Sequence, residues 1–156
     1  MLTAMPGAVS QGILWGIMVL GVITTYKQLD IADLTVDGSF ATGGAVCAVC
    51  VVAGVNPVLA IAASMLAGAI TGAVTGFLAT AFEIPAILAG ILTQISLWSV
   101  NLRIMGKSNT PLLTNETVFT QLGNATGLPA NVCAIIVGLI VAVVIEVGLY
   151  WFFGTE

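Results

Sequence analysis

Apolar residues fall in runs long enough to cross a lipid bilayer, and that property limits the possible folds more than any other in the sequence. Crossing the hydrocarbon core takes about 20 apolar residues in a helix, within a range of about 17–25. Laid along the chain, that ruler finds about five candidate segments. The first runs from Val9 to Tyr26 and ends at the polar patch Lys27, Gln28, Leu29 and Asp30. The second, Phe40 to Val55, is short and carries Gly43 and Gly44 near its start, so it reads as a half-helix or a broken helix. Irregular backbone at membrane depth survives only where protein buries it or water reaches it, which marks its neighbourhood as a candidate pathway. Asn56-Pro57 opens a third segment, Val58 to Phe82, because the residue before proline resists the helical region and proline suits a first helical turn. Glu83-Ile84-Pro85 opens a fourth, Pro85 to Leu102; the polar stretch Arg103 to Asn131 reads as an extramembrane loop; and the fifth segment, Val132 to Phe153, carries Trp151 at its interfacial end. The expected fold is all-α: a polytopic transmembrane helix bundle with one short or broken segment, forming a single domain over residues 1–156.

Composition agrees with lipid as the solvent. Three Lys plus Arg, seven Asp plus Glu and no His leave 6% charged residues, against the roughly 25–35% that dresses a soluble surface. No basic cluster exists to hold nucleic acid, which excludes that class of partner. Met1 to Gly7 lacks a cationic n-region and no Ala-x-Ala site follows, so the first segment is expected to be retained in the membrane. With only Lys27, Arg103 and Lys107 to vote, the positive-inside rule does not fix orientation.

Several motifs come close to a chemistry and miss it. Cys47 and Cys50 form a Cys-x-x-Cys pair, but the surrounding segment is apolar and offers nothing to stabilise a thiolate. With Cys133 they read as packing residues, and no metal or cofactor is expected. Asp33, Thr35 (by position), Asp37 and Gly38 imitate the start of a calcium loop, but its twelfth position is Gly44 where a bidentate acid is needed. Asn101 to Ser108 ends in Gly106-Lys107-Ser108 like a phosphate-binding loop, yet a membrane helix precedes it and a proline-containing loop follows. The chain is therefore not expected to be an enzyme. Asn115-Glu116-Thr117 and Asn124-Ala125-Thr126 match a glycosylation sequon, as Asn/Thr-rich loops do by chance.

Three features remain. Small residues recur every four positions through the third segment, at Ala60, Ser64, Gly68, Gly72, Gly76 and Thr80, a pattern that lets helix backbones approach in lipid. Glu146 lies inside the fifth segment, where a carboxylate is expensive and is either functional or hydrogen-bonded to another helix. Gln94 and Asn101 suit interhelical hydrogen bonds or a pathway lining.

The stretch Leu29 to Phe40, followed by Gly43-Gly44-Ala45, and the stretch Ile84 to Thr93 running on through Val100 to Gly106, resemble the N-terminal region of bacterial ABC-transporter permeases. These belong to the binding-protein-dependent group that includes branched-chain amino acid and ribose permeases, and the resemblance covers essentially the whole chain. It implies a multi-pass subunit of the bacterial inner membrane that gives alternating access to amino acids, aromatic ones included. It also implies partners: ATP-binding subunits, an extracytoplasmic substrate-binding protein, and a second permease chain or a C-terminal half. Permeases of this group are about twice as long and carry a coupling segment beyond the point where this chain stops, so a split or truncated product is one expectation. The resemblance places the C-terminus in the cytoplasm and hence Arg103 and Lys107 outside, so either those two are exceptions to the positive-inside rule or the short second segment does not cross. On this reading the segment from Asp33 to Gly44, with Asp33, Thr35, Asp37, Gly38, Ser39, Gly43 and Gly44, shapes the pathway or its gate, joined by Gln94 and Glu146. Its bland alternative is a helix entry in which Asp33 or Asp37 only caps the N-terminus. The rival functions are an ion- or proton-coupled small transporter using Glu146, and a non-transporting scaffold in which the small-residue stripe binds another helix.

Overall fold

The computed structural model describes residues 5–30, 33–112 and 115–153. Among them the helices, in chain order, are α1 (Met5–Leu29), α2 (Thr35–Val52), α3 (Pro57–Ala81), α4 (Ala86–Met105), α5 (Val118–Thr126) and α6 (Ala130–Phe153), with no strand. All except the short α5 are long and apolar enough to cross a membrane.

Local chemistry sets the helix ends. Asn56 caps α3, its Oδ1 accepting from the Val58 N–H at 3.0 Å with Pro57 in the first turn. Gly106 ends α4 at φ 65°, a left-handed position that glycine adopts without a Cβ penalty, and its N–H donates to the Leu102 carbonyl. The turn from α3 to α4 bends at Glu83, φ 54°, with Phe77 and Phe82 packed edge to face across the end of α3.

Two expectations change here. The second segment is one continuous helix of 18 residues, the shortest of the five spans, with Gly43 and Gly44 in its middle. Its first turn, Thr35 to Gly38, lies upstream of the apolar run because Asp33 supplies a carboxylate oxygen to the Thr35 N–H at 2.8 Å and starts the helix early. The expected loop from Arg103 to Asn131 contains α5, whose Gly123 lies so close to the following turn that a Cβ there would stand 2.8 Å from the Leu128 carbonyl oxygen.

The chain forms two compact units. One comprises Thr25–Thr117 and is built from α2, α3 and α4; the other comprises Met1–Thr24 and Val118–Glu156. In the second unit α5 packs on α6, the Thr126 hydroxyl lies 3.7 Å from the buried Cys133 sulfur, and Ile13 covers Gly138.

Within the first unit, α3 runs antiparallel to α2, as the pairing of Thr35 with Thr75 and of Gly43 with Ser64 requires. Helix α4 runs parallel to α2, with Gly90 beside Thr35 and Gln94 beside Gly38. The faces that meet are lined by Thr35, Gly38, Thr42 and Ala45 of α2, Ala60, Thr71 and Thr75 of α3, and Ala89, Gly90, Thr93 and Leu97 of α4. Small and hydroxyl-bearing residues dominate. The hydroxyls of Thr42, Thr75 and Thr93 satisfy themselves on carbonyls one turn back, so they pack without leaving a buried donor unpaired.

Candidate functional site

The polar atoms of the three-helix unit converge at the start of α2. Thr35, 2% exposed, donates its hydroxyl to the Thr75 Oγ1 at 3.1 Å, and Thr75 in turn donates to the Thr71 carbonyl. Gly90 makes room for this pair: a Cβ there would stand 3.3 Å from both the Thr35 Oγ1 and the Leu34 N. Two residues further along α2, the Gln94 Nε2 donates to the Asp37 Oδ2 at 3.1 Å. Gly38 again permits the approach, since a Cβ would stand 3.0 Å from the Leu97 Cδ1 and 3.2 Å from the Gln94 Cα.

The register sets this cluster below the α3–α4 turn. A helix rises 1.5 Å per residue, so Gln94 lies about 12 Å from the start of α4 at Ala86, and Thr75 about 9 Å from the end of α3 at Ala81. The start of α2 is thus recessed below the α3–α4 turn. A recessed helix start leaves backbone N–H groups and the positive end of the helix dipole below that turn, where the Asp33 oxygen and the Asp37 carboxylate answer them. Asp37 stays exposed while hydrogen-bonded to Gln94, so it presents a carboxylate held in place and open to its surroundings.

The residues singled out in the sequence separate into groups. Asp33, Thr35, Asp37, Gly38 and Gln94 come together in this cluster. Ser39 bonds the Val36 carbonyl behind it. Gly43 abuts the Ser64 backbone, with 3.3 Å from its Cβ position to the carbonyl oxygen, while Gly44 meets nothing. Gly68, Gly72 and Gly76 likewise have nothing within 4 Å of a Cβ position. Glu146 belongs to the other unit, exposed on α6 about 10 Å from Phe153. Thr71, Thr75, Gly90 and Leu97 complete the cluster; Gly90 lies in the Ile84 to Thr93 stretch, while the other three had no motif to announce them, though Ala60, Thr71 and Thr75 share one helical face.

Asn101 is 7% exposed, and its Oδ1 has no hydrogen-bond partner among the described residues. The stretch that imitated a calcium loop is helical from Thr35 onward, and the Gly106-Lys107-Ser108 stretch is the end of α4 with its left-handed cap. Cys47, Cys50 and Cys133 are free thiols, and among the described residues no three His, Cys, Asp or Glu side chains are grouped to hold a metal ion. The second unit has an open hollow of about 460 Å³ between α5 and α6, lined by Thr120, Gly123, Asn124 and Gly127 to Ala130.

Comparison with known proteins gives the family context. Residues 5–155 match the family described as the permease component of branched-chain amino acid transport systems. A tyrosine transport system permease protein of Clostridioides difficile (strain R20291) is 44% identical over 110 residues, which is 70% of this chain and 37% of that protein. An uncharacterised protein of Rickettsia prowazekii (strain Madrid E) is 36% identical over 115 residues, 74% of this chain and 40% of that protein. The matched part of the chain thus spans about two fifths of the length of these curated relatives. No solved structure matches the chain.

Proposed function

The chain belongs to the family of permease components of branched-chain amino acid transport systems, and from that premise we propose that it works as a membrane subunit of an ATP-driven importer of amino acids. It is a multi-pass protein of the bacterial inner membrane. Its partners on this reading are an ATP-binding subunit, an extracytoplasmic substrate-binding protein, and a second permease chain or the remaining half of a longer permease. Residues 1–156 act as one transmembrane domain that supplies a pathway rather than chemistry.

The observation that carries the proposal is the family match over residues 5–155 together with the relative named for tyrosine transport. The geometry is compatible with it. Asp37 and Gln94 bring a carboxylate and an amide together between two helices long and apolar enough to cross a membrane, and polar groups within such helices cost enough that they commonly mark transport pathways. We assign Asp33, Thr35, Asp37 and Gln94 to the pathway wall. The face that carries the half-buried Gly68 and the exposed Gly72 and Gly76 is assigned to packing against a helix of a partner subunit.

Detergent-solubilised pull-down of the chain from its native membrane, with mass spectrometry of what co-purifies, tests the assembly. Recovery of an ATP-binding subunit is the expected result. A pure oligomer of this chain would overturn the importer reading and favour an ion-coupled transporter using Glu146, or a scaffold.

A further inference from the structure

The Asp37–Gln94 pair sits where the helices have little freedom to part. Three close approaches pin the first half of α2: Gly90 at the first residue of the helix, Gly38 one turn in, and Gly43 two turns in. The first two hold it to α4 and the third to α3, with the Thr35–Thr75 hydrogen bond as a second tie to α3. Where a backbone stands this near its neighbour, sliding one helix along the other drives side chains into it. Separating the helices would open voids and strip a buried hydroxyl of its partner. Switching elements need two alternative packings or a loosely held segment, and these contacts work against both over the first half of α2.

We propose that α2, α3 and α4 move through the transport cycle as one rigid body, so that Asp37 and Gln94 form a fixed wall of the pathway and not a moving gate. The inference rests on the transport reading above. It places the motions that alternate access at the boundaries of this three-helix unit, and it makes the Gln94 amide a positioning group that holds the Asp37 carboxylate in one orientation throughout.

A cross-link tests it. With Cys47, Cys50 and Cys133 replaced by alanine, Gly43→Cys and Ser64→Cys would place two Cβ atoms 3.8 Å apart, about the mean for a disulfide. The chain is kept in membranes with its ATP-binding and substrate-binding partners. A rigid unit predicts that oxidation forms the bond at the same rate with ATP and substrate present or withheld, to within about twofold, and that ATP-driven uptake survives the bond. A larger change in rate, or uptake lost on oxidation and restored by reduction, would overturn it. Spin labels at Ala41→Cys and Ile95→Cys, on exposed sites of α2 and α4, give a readout independent of the tight Gly43 site. An unchanged distance distribution between the two conditions supports the rigid unit, and a shifted one overturns it. Absence of uptake in the cysteine-free parent, seen before any oxidant is added, counts against the importer reading itself and is separable from both results.

Discussion

Valine at Thr75 should harm the fold more than valine at Thr35, although the two hydroxyls share one hydrogen bond. Thr35 is the donor, and Thr75 is both its acceptor and a donor to the Thr71 carbonyl. Thr35→Val removes the donor and leaves Thr75 still bonded to its own helix, so the loss is that of one interhelical hydrogen bond, about 0.6 kcal/mol on average between membrane helices. Thr75→Val removes the acceptor and strands the Thr35 O–H at a site 2% exposed, where an unpaired donor adds about 1–3 kcal/mol. The double variant has no stranded hydroxyl, so its stability should return close to that of Thr35→Val and exceed that of Thr75→Val. Denaturation of the full chain in mixed micelles, run as a double-mutant cycle, measures all three differences. Equal costs for the single variants, or costs that simply add in the double, would refute the donor and acceptor assignment.

The glycines divide in the same structural way. Gly38→Ala puts a methyl 3.2 Å from the Gln94 Cα, and the overpacking, about 1–3 kcal/mol, should outweigh the gain of about 1 kcal/mol for alanine over glycine in a helix; thermal unfolding reads the difference. Gly72→Ala meets nothing and should leave the three-helix unit as stable or more stable by up to about 1 kcal/mol, while weakening co-purification of any partner seated on that face. Asp37→Asn removes the negative charge while its Oδ1 can still accept from the Gln94 amide, so the fold should stay intact and uptake should fall by about tenfold or more; wild-type uptake in this variant would remove Asp37 from the pathway. Glu146→Gln should leave ATP-driven uptake unchanged, and its loss would move the chain toward ion coupling.

Hydropathy made the membrane class and all five long helices legible, because lipid leaves few ways to satisfy a backbone. What it missed lay in short-range chemistry. The first turn of α2 is polar, so the apolar run begins at Phe40 while the helix begins at Thr35; Asp33 was legible as a possible cap, and its carboxylate accepts from the Thr35 N–H. Helix α5 has nine residues, too few for a membrane ruler. Gln94 was legible as a residue suited to interhelical bonding, but its partner Asp37 stands 57 positions away and only the register of α2 on α4 brings them together. The small-residue stripe shows why a spacing of four misleads over distance. Each step of four turns a helix about 40° past a full circle, so from Ala60 the stripe has rotated about 160° by Gly76. Steps of eleven and fifteen stay within about 60°, which is why Thr71 and Thr75 share the buried face of Ala60 while Gly72 and Gly76 look outward.

Uptake of a radiolabelled amino acid, tyrosine first, into proteoliposomes holding the native assembly of this chain with its substrate-binding protein tests the central claim most directly. Accumulation that requires ATP and persists when ion gradients are collapsed is the predicted result. Accumulation that follows an imposed ion gradient without ATP would contradict it.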